Sequence, residues 1–140
     1  MVAEVVHVAS AGTALRLSLH ILAATVWVGG QITLAGLVPA MRTVGGEAPK
    51  VFARAFARLS WPAFALLVVT GFWNMAADNL GKAGTAWKIV LGVKIGVVVL
   101  SGLSAWLHAR ATSRRGIAIW GALTGTSAVA ALVMGVFLAG

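Results

Sequence analysis

Cysteine and tyrosine are both missing from the 140 residues, and only three residues are acidic. Without cysteine there are no disulfides, no thiolate metal sites and no cysteine nucleophile. Charge of any kind is sparse. Asp, Glu, Lys and Arg make up 10% of the chain, whereas a soluble domain carries about a quarter. No carboxylate falls inside an apolar run, so acid–base chemistry by a paired carboxylate has no candidate within them. The net charge of +8 would suit nucleic acid if it were spread over a folded surface. It lies instead in the short gaps between apolar runs, where it reports membrane topology.

What the chain has is hydrophobic length: 60% of its residues are apolar. Four runs stand out, at 15–39, 59–77, 87–109 and 117–139. Each has about the 20 residues that cross a hydrocarbon core roughly 30 Å thick. The expectation is an all-α, four-transmembrane-helix bundle forming a single integral membrane domain over 1–140. Short loops predict up-down-up-down order with sequence neighbours adjacent. A cleaved signal peptide is not expected, because Glu4 but no basic residue precedes Arg16 and the first run is too long. The lipid bilayer is the expected partner, and nucleic acid is not.

Basic residues set the orientation. The gap after the first run carries Arg42, Lys50, Arg54 and Arg58, and the gap after the third carries Arg110, Arg114 and Arg115. The other side has Arg16, Lys82 and Lys88. Seven charges against three place the first group in the cytoplasm and both termini outside the cytoplasmic membrane. Trp61, Trp106 and Trp120 then sit near the inner boundary and Trp87 near the outer one, all read as interfacial anchors. Pro49 suits a first helical turn, so the second helix is predicted to begin before the bilayer. Its basic stripe (Lys50, Arg54, Arg58) would lie on lipid headgroups. Gly92 with Gly96 and Gly121 with Gly125 form small-xxx-small pairs, open to use within the bundle or in a homo-oligomer.

Function has to come from polar groups inside the bilayer, since they are costly there. His20 and Lys94 lie at similar depth in the outer half, with Asn74, Met75 and Met134 on the neighbouring helices. Helical spacing puts Arg16, His20, Ala23 and Trp27 on one face. Lys94 shares a face with Trp87, Val98 and Ser101. Met134 shares one with Trp120, Thr124, Ser127 and Ala131. Facing inward, these stripes predict an outward-opening pocket lined by His20, Lys94 and Met134, with Trp27 as its floor. Asn74 is the expected hydrogen-bond partner of the second His20 nitrogen. The plainer alternative is that Lys94 snorkels to headgroups and His20 only ties two helices together. Thr124 and Ser127 are read as bonding their own backbone, His108 as interfacial, and His7 as external. No catalytic residue is assigned.

The stretch Leu19-His20-Ile21-Leu22-Ala23-Ala24-Thr25-Val26-Trp27-Val28-Gly29-Gly30 resembles the first helix of the copper resistance protein D (CopD) family. Phe56-Ala57-Arg58-Leu59-Ser60, then Leu67-Val68-Val69-Thr70-Gly71 and Asn74, resembles its second helix. Leu91-Gly92-Val93-Lys94 resembles the start of its third. The resemblance covers about 15–110 and implies copper handling or transport across the cytoplasmic membrane. A related likeness is to HemJ-type protoporphyrinogen oxidases, carried by Leu19, His20, Trp27, Gly30 and Lys94. The chain lacks their tyrosine and their Pro-Arg after the first helix, and it has Ala105 near their third-helix histidine. Two readings with different cofactors follow, and a structural accessory subunit is a third. In the first, copper is bound by His20, Met75 and Met134, since imidazole and thioether suit Cu(I). In the second, haem b is bound with His20 as axial ligand and Lys94 or Arg16 on its propionates.

Overall fold

The structure is a computed structural model that describes residues 7–139; Glu4, used in the signal-peptide argument, lies outside them. Four helices, each long and apolar enough to cross a membrane, account for nearly all of it. They are α1 (Ala11–Val44), α2 (Ala48–Ala77), α3 (Thr85–Arg110) and α4 (Arg114–Ala139). Every helix overruns its apolar run at one or both ends. Hydropathy marks the part that must sit in hydrocarbon, while backbone hydrogen bonding continues until a cap stops it. Ser10 starts α1 by accepting the Thr13 N–H at 3.3 Å. Ser113 does the same for α4 through the Gly116 N–H at 3.0 Å. Pro49 occupies the first turn of α2, where its missing N–H has no intrahelical partner to lose.

α1 is not uniform. Residues Thr25–Gly29 form a π turn, where three β-branched residues and the Gly29-Gly30 pair weaken the local preference for α geometry. The Thr25 hydroxyl donates to the Ile21 carbonyl at 2.9 Å and the Thr33 hydroxyl to Gly29 at 2.8 Å. These bonds satisfy carbonyls on either side of the wide turn. Pro39 and Pro62 lie inside α1 and α2. Membrane helices tolerate such prolines because neighbours can satisfy the freed carbonyls.

The bundle is two hairpins, α1 with α2 and α3 with α4, that meet most closely where the π turn touches α4. Large apolar side chains point outward: Phe137 is 72% exposed and Phe72 65%. The buried positions are mostly small or polar, including Ala23, Ala63, Ala128, Thr70, Ser101 and Ser104. This is the arrangement a lipid solvent favours, since apolar burial gains little there and close backbone approach gains more. The chain is therefore a four-helix membrane protein.

Of the small-xxx-small glycines, Gly121 alone takes a close contact within the bundle. Among the described residues no other segment comes within 4 Å of where a Cβ would be at Gly92, Gly96 or Gly125, while the His108 ring lies 3.0 Å from that position at Gly121. Gly30 and Gly102 carry tighter contacts. The Phe56 ring lies against Gly30, and Phe64 Cζ comes within 2.6 Å of where a Gly102 Cβ would be. Phe64 is held there by Trp27, its ring centroid 4.5 Å away, and by Trp61 at 6.0 Å. Trp61 is thus a packing residue as well as a boundary residue.

Candidate functional site

His20 and Lys94 are each nine residues from the start of their helices, Ala11 and Thr85. At 1.5 Å per residue both lie about 14 Å in, at matching depth in the half of the bundle that holds the termini. His20 is half-buried and its Nδ1 lies 2.7 Å from the Thr70 hydroxyl oxygen. That hydroxyl is almost wholly buried and lies 2.6 Å from the Leu66 carbonyl. A hydroxyl has one hydrogen. The carbonyl can only accept, so the hydrogen goes to Leu66, and His20 Nδ1 must carry a proton and donate it to Thr70. In the neutral ring this leaves the lone pair on Nε2, free of any hydrogen-bond partner among the described residues.

Asn74 does not play the expected part. Its Oδ1 accepts from Arg16 Nη1 at 2.6 Å, one turn nearer the terminal end, and Thr70 takes the His20 nitrogen. The mismatch comes from register: Thr70 and Asn74 are i and i+4 on α2, as Arg16 and His20 are on α1. Antiparallel pairing joins the outer member of one pair to the outer member of the other. Thr70 could have been found from sequence as the hydroxyl one turn below Asn74. The His20 ring lies over Gly71, with Cε1 3.8 Å from where a side chain there would begin. Arg16 is buried, with 9% exposure, and the bond to Asn74 satisfies one of its guanidinium donors.

Lys94 lies at the depth of His20, on the other hairpin. Its Nζ packs against Gly135 of α4, 3.0 Å from the position a Cβ would take. A side chain at 135 would displace the ammonium, so the glycine beside Met134 makes room for Lys94. Met75 and Met134 are half-buried in the same half of the bundle. The hydrogen bonds of His20 and Arg16 go to Thr70 and Asn74 and not to either sulfur. Among the described residues no group of three or more His, Cys, Asp or Glu side chains could hold a metal ion.

Trp27 lies deeper and is buried, and its indole N–H donates to the Ser101 hydroxyl at 3.1 Å. Ser101 in turn donates to the Thr124 carbonyl at 3.3 Å, and the Thr124 hydroxyl lies 3.1 Å from that of Ser104. Thr124 and Ser127 do bond their own helix, at 2.7 and 2.6 Å, as expected. Thr124 also joins α3 to α4, which the spacing argument did not foresee. Trp27 is thus hydrogen-bonded on one side and packed on Phe64 on the other.

The remaining histidines are elsewhere. His108 Nδ1 donates to the Ile117 carbonyl at 2.8 Å and ties α3 to α4 at the basic end. His7 is exposed before α1. Trp87 donates its indole N–H to the Leu138 carbonyl at 3.2 Å, so it clasps α4 as well as marking a boundary. Comparison with protein-family models, with curated proteins and with solved structures finds no match.

Proposed function

We propose that this protein binds a haem-type metalloporphyrin in the half of the membrane nearer its termini, where His20 Nε2 would be the nitrogen that holds its metal. The observation that carries the reading is the pairing of a histidine held in the Nδ1–H form with two cations and no carboxylate. A ligating histidine commonly has its other ring nitrogen fixed by a hydrogen bond, as His20 has through Thr70. Arg16 and Lys94 flank it. Haem b carries two propionates, and two cations are the complement to them. Bound there, such a group would supply one-electron chemistry, with its potential tuned by axial ligation and burial. Arg16 would orient one carboxylate through its remaining guanidinium donors while Asn74 fixes the side chain. Trp27 would close the inner end and keep water from passing further.

Copper binding is the second reading, favoured by the soft sulfurs of Met75 and Met134 at comparable depth. Electrostatics count against it. A bare cation beside His20 would meet the positive charges of Arg16 and Lys94 with no carboxylate to offset them, whereas a dianionic ligand is attracted by both. The orientation we propose has the basic end in the cytoplasm and the site opening outward, on the seven-to-three distribution of basic residues. The test is an optical spectrum and metal analysis of the protein purified in mild detergent, with and without added haem. A Soret band that His20→Ala removes supports the reading. Stoichiometric copper with no Soret band, lost in Met75→Leu or Met134→Leu, replaces it with the second.

A further inference from the structure

α2 has 30 residues, a length of about 45 Å against roughly 30 Å of hydrocarbon. The surplus is its first part, Ala48 to Arg58, which therefore stands at headgroup level at the basic end. Three basic residues recur there at i, i+4 and i+8. Lys50 is already engaged, with Nζ 2.9 Å from Glu47 Oε1. Arg54 and Arg58 donate to no acceptor among the described residues. They share one face of α2 with Val51 and Ala55, and these four residues line a groove of about 380 Å³. The opposite face is occupied by Phe56 packed on Gly30 of α1. The groove therefore opens away from α1.

The chemistry of this groove is specific. Two unpaired guanidinium groups one turn apart present forked donors that match phosphate oxygens. The rest of the lining is a valine and an alanine. Leu59 and Trp61, 60% and 37% exposed, follow Arg58 on α2 and carry an apolar surface from the groove's end toward the hydrocarbon. A ligand that satisfies both parts has a phosphodiester at one end and acyl chain at the other. A zwitterionic headgroup would bring an ammonium against the two arginines, so the ligand should carry net negative charge. We infer that Val51, Arg54, Ala55 and Arg58 form a binding site for the phosphodiester of an anionic phospholipid.

The test is lipid retention by the full-length protein in non-ionic detergent, measured by native mass spectrometry during titration with phosphatidylglycerol. Phosphatidylcholine of the same chains and inorganic phosphate serve as the other arms. Arg54→Gln/Arg58→Gln should weaken phosphatidylglycerol binding roughly tenfold to thirtyfold, since a basic residue near a membrane surface contributes about 1 kcal/mol. Arg114→Gln/Arg115→Gln removes the same charge from the same end and should change it less than about twofold. Arg54→Lys/Arg58→Lys keeps the charge, loses the forks and should fall between. Equal losses in both glutamine variants would mean diffuse attraction and overturn the site. So would wild-type binding by the lysine variant, or equal binding of phosphatidylcholine. Displacement of the lipid by a modest excess of inorganic phosphate would make this a small-anion site and overturn the lipid assignment. Unchanged helical circular dichroism in each variant ties the losses to the groove.

Discussion

Replacing Thr70 by valine keeps the shape of the side chain and removes only the oxygen that accepts from His20. The Leu66 carbonyl is not orphaned, because the Thr70 backbone N–H still reaches it within the helix. The His20 Nδ1–H is. A cross-helix hydrogen bond in a membrane contributes about 0.6 kcal/mol on average and up to about 1.7. Global stability should therefore change by less than about 2 kcal/mol, partly offset by the methyl group gained, and is a poor readout. The tautomer is a good one. The same 0.6–1.7 kcal/mol converts to a shift of about threefold to eighteenfold in the ratio of the two neutral imidazole forms. We expect nitrogen NMR of histidine-labelled protein to show His20 as the Nδ1–H form in the wild type and as a mixture in Thr70→Val. Thr70→Ser should restore the wild-type signal. Affinity for added haem should drop roughly tenfold to a hundredfold in the valine variant, the usual cost of losing a ligand's supporting hydrogen bond. If the tautomer ratio is the same in all three proteins, Thr70 does not set the ring and the argument for a free Nε2 fails.

Lys94→Leu should insert and fold but bind haem weakly; full occupancy in the variant would leave Lys94 only a snorkelling residue. His108→Ala should keep its ligand while losing about 1 kcal/mol of stability from the missing bond to Ile117, read by thermal unfolding. A ligand lost from this variant but retained in His20→Ala would move the site to the basic end. Gly102→Ala should cost about 1–3 kcal/mol, since Phe64 is pinned by two tryptophans and cannot yield freely. Gly92→Ala and Gly96→Ala should change monomer stability by less than about 0.5 kcal/mol, and a larger loss in either would show that those glycines do pack. A reporter fused to the C-terminus should be active only outside the cytoplasm; activity of a cytoplasm-dependent reporter there would reverse the orientation.

Hydropathy alone was enough for the four helices, because a bilayer imposes a length that a short sequence window can register. The early start of α2 was also legible, from Pro49 and the spacing of Lys50, Arg54 and Arg58. Depth was legible for His20, Lys94 and Asn74, since rise per residue is fixed. Pairing was not. Whether His20 meets Thr70 or Asn74 depends on an axial offset between α1 and α2 of one turn, which the composition of neither helix encodes. The glycines that pack most tightly within the bundle were not legible for a related reason. A small-xxx-small pair shows where a backbone can be approached, but the approach at Gly30 and Gly102 depends on Phe56 and Phe64 on another helix. Small polar residues such as Ser101 and Ser104 give little signal singly, and their network appears only when α3 and α4 are placed side by side.

The wide turn at Thr25–Gly29 sets a phase angle within α1. On one side of it, Arg16 and His20 are aimed at Asn74 and Thr70; on the other, Gly30 is aimed at Phe56 and Met41 is buried. Straightening these five residues into α geometry, with their number unchanged, would wind α1 further, since a π turn spreads an extra residue over the same rotation. Everything on one side would then rotate by about 100° and advance by about 1.5 Å relative to the other. Gly30 would swing from beneath Phe56, or His20 from Thr70, though no side chain in either contact had been altered. The segment thus absorbs one extra residue and keeps the two parts of α1 in phase. Deleting Val26, which leaves an unbroken α-helix with the same phase, should be tolerated better than adding an alanine beside it, whereas residues 79–83, in the longest loop, can lose or gain a residue without changing what any helix faces.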